Sequence, residues 1–202
     1  MNNKFTVFTD GACLNNGKKN PIGAIGIFFN NDSMDNLGQI ICDDSIKITN
    51  QTMELLAVIK AMQIIDNKII DKIIKPDIIY IYTDSTYIIN SITKWYPTWL
   101  SNNWMTSKNK PVENKELIQL LYELKNKYIV IFKHVRSHQK EPIDKTTDLY
   151  VQWYGNHMAD HLATSACKDY LVEKNSLIIE NDDVKTKPKK LNKKKITNQL
   201  NV

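Results

Sequence analysis

Apolar and polar positions along the first fifty residues come in short runs separated by turn residues, the pattern of strands. Residues 4–9, "KFTVFT", predict a first strand, and "PIGAIGIFF", residues 21–29, a second. Gly23 and Gly26 inside it mark a bulge or a close approach. "NNDSMDN", residues 30–36, predicts a polar turn, and the alternation in "LGQIICDDSIKIT", residues 37–49, a third strand. Three strands this close in sequence predict an antiparallel meander. The period then changes to that of a helix. "NQTMELLAVIKAMQIID" sets Met53, Leu56, Ala57, Lys60, Ala61 and Ile64 at helical spacing, with Asn50 or Gln51 near its start. A strand over residues 78–83 follows, parallel to the first because a helix intervenes.

Beyond it, "STYIINSITKW" predicts a short helix with Ser85 as its cap, interrupted by Pro97. Residues 114–127 predict an amphipathic helix and "YIVIFKHV" a fifth strand. "GNHMADHLATSACKDYL", residues 155–171, predicts a last helix opened by Gly155-Asn156. The order βββαβααβα defines an α/β protein, a mixed five-stranded sheet with helices on both faces.

Charge divides the chain more sharply than pattern does. It has 202 residues, 42% of them hydrophobic, and a net charge of +5. Seven lysines against two aspartates fall within residues 182–202, so the remainder balances at twenty basic and twenty acidic residues. "KTKPKKLNKKK" lacks aromatics and apolar periodicity and is expected to be disordered. It suits phosphate binding, a nuclear address, or a solvated tail without a specific role. Residues 1–172 are therefore expected to form the folded domain and 173–202 a basic, disordered tail. Cys13, Cys42 and Cys167 are odd in number and without CxxC spacing, which indicates neither a disulfide framework nor a zinc site. No signal segment or membrane span is visible. The expectation is a soluble intracellular protein, cytoplasmic or nuclear, monomeric and without an obligate protein partner.

Two apolar strands each finish on a Thr-Asp pair: Thr9-Asp10 and Thr83-Asp84. If those strands are parallel neighbours, both carboxylates emerge at one sheet edge, where α/β sheets bind ligands. Adjacent strands lie about 4.8 Å apart, so the two carboxylates repel unless a cation joins them or one stays protonated. Two solvated turn aspartates are the plainer alternative. Glu54, in the first turn of its helix within the apolar "TMELLAV", and Asp160, in the last helix, weigh against it. Glu54 could instead be a favourable helix-terminus charge. Four carboxylates without cysteine or paired histidine suit hard cations, Mg²⁺ or Mn²⁺.

The segments Thr-Asp-Gly with "NNG" after it, "TNQTMELLA", "YTDSTYIINSIT" followed by Trp95, "HVRSH" and "GNHMAD" occur in an order that resembles type 1 ribonuclease H, over roughly residues 4–168. The resemblance implies the ribonuclease H-like fold with strand order 3-2-1-4-5. It implies an endonuclease that hydrolyses the RNA strand of an RNA/DNA hybrid with two Mg²⁺ ions, Mn²⁺ being possible, and leaves 5′-phosphate and 3′-hydroxyl ends. Asp10, Glu54, Asp84 and Asp160 would hold the ions, with Asp10 bridging. His138 would assist proton transfer or product release. Cys13, Asn16, Asn50 and Gln51 would contact the RNA strand, where 2′-hydroxyls are read across the minor groove. Lys47, Thr49 and Asn114 would form a DNA-phosphate pocket. Tyr87, Trp95 and Ser107 would line a channel for deoxyribose, with Trp99 and Trp104 expected in the core.

Two departures stand out. The arm "WYPTWLSNNWMTSKNKP" carries few lysines, Lys94, Lys108 and Lys110. "QKEPIDKTTDLYVQWY" between His138 and Gly155 is longer than the family's usual short loop. No separate hybrid-binding module is expected ahead of the first strand. An aspartyl phosphatase needs a second acid two residues on, where Ala12 and Thr86 stand. An aspartic protease needs Asp-Thr/Ser-Gly, which neither Asp10 nor Asp84 begins. A non-catalytic hybrid-binding protein would not need all four carboxylates.

Overall fold

The computed structural model describes residues 3–30 and 36–185, with residues 177–185 given by backbone alone. The centre of the expected turn at residues 30–36 and most of the lysine-rich tail lie outside the described residues. The strands are β1 (Lys4–Leu14), β2 (Ile22–Phe29), β3 (Leu37–Ile41), β4 (Ile78–Thr83) and β5 (Val130–His134). Their spatial order is β3-β2-β1-β4-β5. β1 and β2, and β2 and β3, pair antiparallel, whereas β1 and β4, and β4 and β5, pair parallel. The order of elements predicts the mixed five-stranded sheet, and the strand order is the ribonuclease H-like one that the resemblance implies.

Helices cover both faces. On one, α1 (Asn50–Ile70) and α4 (Lys115–Asn126) bury Leu55, Val58, Met62, Ile118 and Leu121 against Phe5, Val7, Ile79 and Ile81. On the other, Phe8 and Phe28 pack with Ala159 of α5 (Asp148–Lys185). The alternation along β1 makes this division, since successive side chains point to opposite faces. α1 is wedged between sheet and α4, so its buried surface is broader than one stripe. Leu55, Val58, Ile59, Met62 and Ile65 are buried beside Met53, Ala57 and Ala61, while Leu56 and Ile64 are only half-buried. Its cap is Thr49, whose side chain accepts from the Thr52 N–H at 3.1 Å, rather than Asn50 or Gln51.

Four further differences from the sequence reading have physical causes. β1 runs on past residue 9 to Leu14, because β2 continues to pair with it as far as Leu14↔Ile22. β3 stops at Ile41, since its partner β2 begins at Ile22 and its last pair is Gly23↔Ile41. The chain beyond folds into a turn in which Asp43 accepts from the Ser45 N–H and hydroxyl at 2.9 and 2.6 Å. Pro97 does not break the helical arm. α2 (Thr86–Asn90) passes through a π-helical segment, Ser91–Trp95, into α3 (Tyr96–Ser101), with Pro97 in the first turn of α3. Pro97 has no N–H to offer the preceding turn, and it follows directly on the wider register that Tyr96 N–H closes to the Ser91 carbonyl. Finally, α5 begins at Asp148, seven residues before Gly155. Thr147 caps it, accepting from the Tyr150 N–H at 3.3 Å. Gly155 is a helix-interior residue whose missing Cβ makes way for the Phe8 ring.

The described helix continues to Lys185, so residues 173–185, expected in the tail, have helical backbone. Met1–Tyr170 form one compact unit and the chain from Leu171 a second.

α5 approaches the sheet through Gly26. A Cβ there would lie 2.0 Å from the Ala159 carbonyl oxygen and 2.7 Å from the Ala163 nitrogen. Both are backbone atoms and neither can rotate aside. Gly26→Ala should therefore push α5 off the sheet and destabilise the protein by about 1–3 kcal/mol, the range for overpacking. Urea unfolding of the variant beside the parent checks this.

Candidate active site

Each Thr-Asp pair divides its work between the two sheet faces. Thr9 and Thr83 are fully buried. Thr9 donates its hydroxyl to the Tyr82 carbonyl across the strands at 3.5 Å, and Thr83 Oγ1 accepts from the Ser85 N–H at 3.1 Å. Asp10 and Asp84 point the other way. The parallel register ends at Phe8↔Tyr82, and extending it by two residues sets Asp10 opposite Asp84. Beneath them the Phe8 and Tyr82 rings stack with centroids 4.8 Å apart. Asp10 is thus not at the end of its strand. It sits inside β1, just where β4 has stopped and left that edge open.

Glu54 enters from the second turn of α1, one residue past the first turn in which the sequence placed it, because the helix begins at Asn50. Gly11 permits this, since a Cβ at that position would stand 2.3 Å from the Glu54 nitrogen and 2.4 Å from the Met53 carbonyl carbon. Any side chain at residue 11 would displace the start of α1. As a result, one oxygen each of Asp10, Glu54 and Asp84 lies within 4.8 Å of the others. Burial raises the Asp10 carboxyl to about 7, with the Asp84 charge adding to it, while a hydrogen bond from Glu54 opposes the rise. Burial, then the Asp10 and Asp84 charges, pushes Glu54 well above the carboxylate range. Asp84 is also raised, chiefly by burial, with His134 and His138 nearby holding it down.

Asp160 does not join the three. It lines the same cavity, of ≈ 390 Å³, from α5, and its charge raises both Asp10 and Asp84. His138 also lines that cavity. It is exposed and has a left-handed backbone, φ 52°. Among the cavity's other lining residues, Arg136, Trp153, Asn156 and His157 carry polar groups of chemical interest that escaped the sequence reading. Asn156 is buried and its Oδ1 has no hydrogen-bond partner. Helical spacing could have found three of them, because Trp153, Asn156, His157 and Asp160 stand at i, i+3, i+4 and i+7 on one face. Arg136 had its own signal, being the only arginine in the chain.

The remaining predicted residues fall into adjoining groups. Asn16 Oδ1 accepts from the Asn50 N–H at 3.4 Å, which joins two of the proposed RNA contacts. Cys13 lies half-buried in β1, its thiol pKa raised by burial. Lys47 and Asn114 line a hollow with Thr52. Thr49 joins it through a 2.7 Å hydroxyl–hydroxyl hydrogen bond to Thr52, whose hydroxyl donates to Asn114 Oδ1 at 3.3 Å. Trp95 and Ser107 share a groove with Trp99. Tyr87 and Ser107 share another, which Gln51 also lines, so Gln51 borders both proposed strand paths. Trp104 is in the core as expected, at 7% exposure. Trp99 is only half-buried and forms groove wall as well as core.

The donor set fits a divalent cation. It is all oxygen, which hard cations prefer. The Glu54 Oε2 atom is buried without a hydrogen-bond partner, a costly state that a cation would relieve. The three carboxylates also repel one another.

With fold and site defined, comparison places them. The RNase H family model matches residues 2–168. A ribonuclease H of Clostridium botulinum (strain Hall) is 37% identical over 147 residues, covering 72% of this chain and 91% of that protein. A ribonuclease HI of Rickettsia prowazekii is 35% identical over 138 residues, 68% and 82% of the two chains. Among solved structures, LC9-RNase H1, a type 1 RNase H with the type 2 active-site motif, superposes with a TM-score of 0.59 at 24% identity, covering 84% of this chain and 74% of that one. LC11-RNase H1 in complex with an RNA/DNA hybrid gives 0.53 at 17%, covering 83% and 99%. The fold and these relatives define a hydrolase of the ribonuclease H class. The chain belongs to the RNase H family, type HI.

The raised carboxyls make metal-free stability depend on pH. Their folded pKa values exceed the unfolded value of about 4, so the folded state binds more protons than the unfolded chain between that pH and about 7. Stability therefore falls as pH rises through this window. Mg²⁺ should raise Tm more at pH 7.5 than at pH 5. Asp84→Asn should flatten the decline and raise the metal-free Tm at pH 7.5. Thermal melts across pH, with and without Mg²⁺, read both effects.

Proposed function

We propose that the protein is an endoribonuclease that cuts the RNA strand of an RNA/DNA hybrid with two divalent metal ions. The observation that carries this reading is the trio Asp10, Glu54 and Asp84, with oxygens within 4.8 Å of one another and Glu54 Oε2 buried and unpartnered. Asp160, on the wall of the same cavity, completes the set. Two ions held there, Mg²⁺ or Mn²⁺, would supply an activated water for in-line attack and stabilise the leaving 3′ oxygen, giving 5′-phosphate and 3′-hydroxyl ends.

The chain's own groups do the rest. Asp10, the most buried of the three and with an oxygen within 4.8 Å of both Glu54 and Asp84, would help hold both ions. Arg136 presents a planar fork of donors at the cavity, suited to a phosphate oxygen. His138 sits at the cavity on an exposed loop, free to accept or deliver a proton at the leaving group. Asn16 and Asn50 meet near the start of α1 and offer amides to 2′-hydroxyls. The second strand runs over the Trp95–Ser107 groove toward the Lys47–Thr49–Asn114 hollow. Trp95 is 39% exposed, so a ring face is available for deoxyribose, where a 2′-hydroxyl would obstruct. The tail lysines add phosphate affinity that the lysine-poor arm lacks. All these residues come from one chain, so a monomer suffices, and the work belongs inside the cell, in cytoplasm or nucleus, where such hybrids form.

One sequence prepared as hybrid, duplex DNA and duplex RNA, each with Mg²⁺, tests the reading. Only the RNA strand of the hybrid should be cut, and efficient cutting of duplex DNA would refute it. Asp84→Asn should abolish cleavage while the protein stays folded; near-parental turnover would remove the carboxylate assignment. His138→Ala should slow kcat by up to about 10²–10⁴-fold, the range of general acid–base help, and an unchanged kcat would remove His138 from the mechanism.

A further inference from the structure

We propose that Trp153 is a positioning residue, whose indole N–H holds the loop that carries His138 at the mouth of the carboxylate cavity. The inference rests on the hybrid-cleaving reading above for its kinetic consequence, but its structural basis is separate. Trp153 Nε1 donates to the backbone carbonyl of Gln139 at 3.0 Å, the residue directly after His138. His138 has a φ of 52°, in the left-handed region that a non-glycine residue enters at some cost. A conformation of that kind persists where its surroundings fix it. Around His138 the loop is exposed from Arg136 to Glu141, so burial does not fix it. Among the described residues, the indole hydrogen bond is what ties that stretch to α5.

The geometry explains how the long segment after His138 is used. Its first half, residues 139–147, turns back through Asp144, which accepts from the Thr146 N–H at 2.9 Å. Its second half is helix, the opening turns of α5. Starting α5 early adds a cavity-facing position two turns before Asp160, about 10.5 Å along the axis. Trp153 occupies it. Its ring lies parallel to that of His157, 4° between planes and centroids 5.2 Å apart, and both line the cavity with Asp160 and His138. Trp153 belongs to neither apolar cluster among the described residues, so filling the core is not its role. α5 thereby carries a metal-site carboxylate and the clamp on the His138 loop on one rigid element.

Trp153→Phe tests this, since it keeps an aromatic ring on His157 and removes the donor. A single neutral hydrogen bond is modest in net worth, so kcat on the hybrid should fall about fivefold with KM unchanged. In a His138→Ala background the same substitution should lower kcat no further, because the group it positions is gone. A second readout needs neither metal nor activity: limited trypsin digestion, scored at Arg136 and Lys140 on either side of the loop. Cleavage there should accelerate in Trp153→Phe while the thermal midpoint stays near parental. Equal losses of kcat in the parent and His138→Ala backgrounds, or unchanged tryptic cleavage at both sites, would overturn the proposal. If the parent chain cuts no hybrid, the functional reading fails and the trypsin comparison alone decides the clamp.

Discussion

Three carboxylates crowded together, Asp10 buried and Glu54 and Asp84 half-buried, are the constraint around which this molecule is built. At 4.8 Å and an effective dielectric of about 20, two unit charges repel by about 3 kcal/mol. That is a large share of the roughly 5–15 kcal/mol by which a domain is stable. Left to relax, Asp10, Glu54 and Asp84 would separate. They stay together because they are mounted on backbone that has no freedom to part: two strands in parallel register and a helix end seated on Gly11. Burial first, and then the repulsion that remains, raises the carboxyl pKa values, and a divalent cation held by the three would relieve both.

The sheet meets this constraint from both sides. On one face α1 is locked between β1 and α4 by fully buried side chains such as Leu55, Val58 and Met62. That packing holds Glu54 at the strand edge. On the other face Gly26, opposite Asp10 in the β1–β2 register, lets Ala159 of α5 touch the sheet, and Asp160 follows next in sequence. Stability and function therefore share residues. A substitution at Gly11 or Gly26 would disturb the fold and move a carboxylate in the same step. Glu54 Oε2 and Asn156 Oδ1, on residues that line the cavity, are buried without partners among the described residues, as is Ser91 Oγ away from it.

The sheet was legible in the sequence because its strands alternate or run apolar for five or six residues between clear turn signals. Asp10 and Asp84 stood out at the ends of apolar runs, Glu54 as an acid in an apolar sector, and Asp160 by its place in a recognisable order of segments. What the sequence concealed depended on neighbours. Where β3 ends is decided by where β2 begins, and nothing within "CDDSIKIT" states that. Gly155 looked like a helix boundary because glycine is usually punctuation; here it answers to the Phe8 ring, far away in sequence. Pro97 was misleading for a similar reason, since it stands in the first turn of α3, directly after a π-helical register that continues the arm. The grouping of Asp10, Glu54 and Asp84 without Asp160 is a matter of side-chain reach, which spacing along the chain does not encode.

The segment between His138 and Gly155 shows how an apparent departure from a family pattern becomes part of the site. Read as a loop, its length argues that the histidine wanders, because a longer flexible connection weakens placement. Read as a helix that starts seven residues early, the same length does the opposite. Residues 148–154 are ordered on α5, whose position is already fixed by Ala159 and Ala163 against Gly26. Only residues 139–147 remain to span the gap, and the turn at Asp144 with the Thr147 cap takes up part of that span. An acid–base group must keep within hydrogen-bond reach of its proton partner, and a displacement of even 1 Å is costly. A group on an exposed loop meets that demand only if something rigid holds it; in the proposed role of His138 that hold would come from the early start of α5, where Trp153 donates to the Gln139 carbonyl at 3.0 Å.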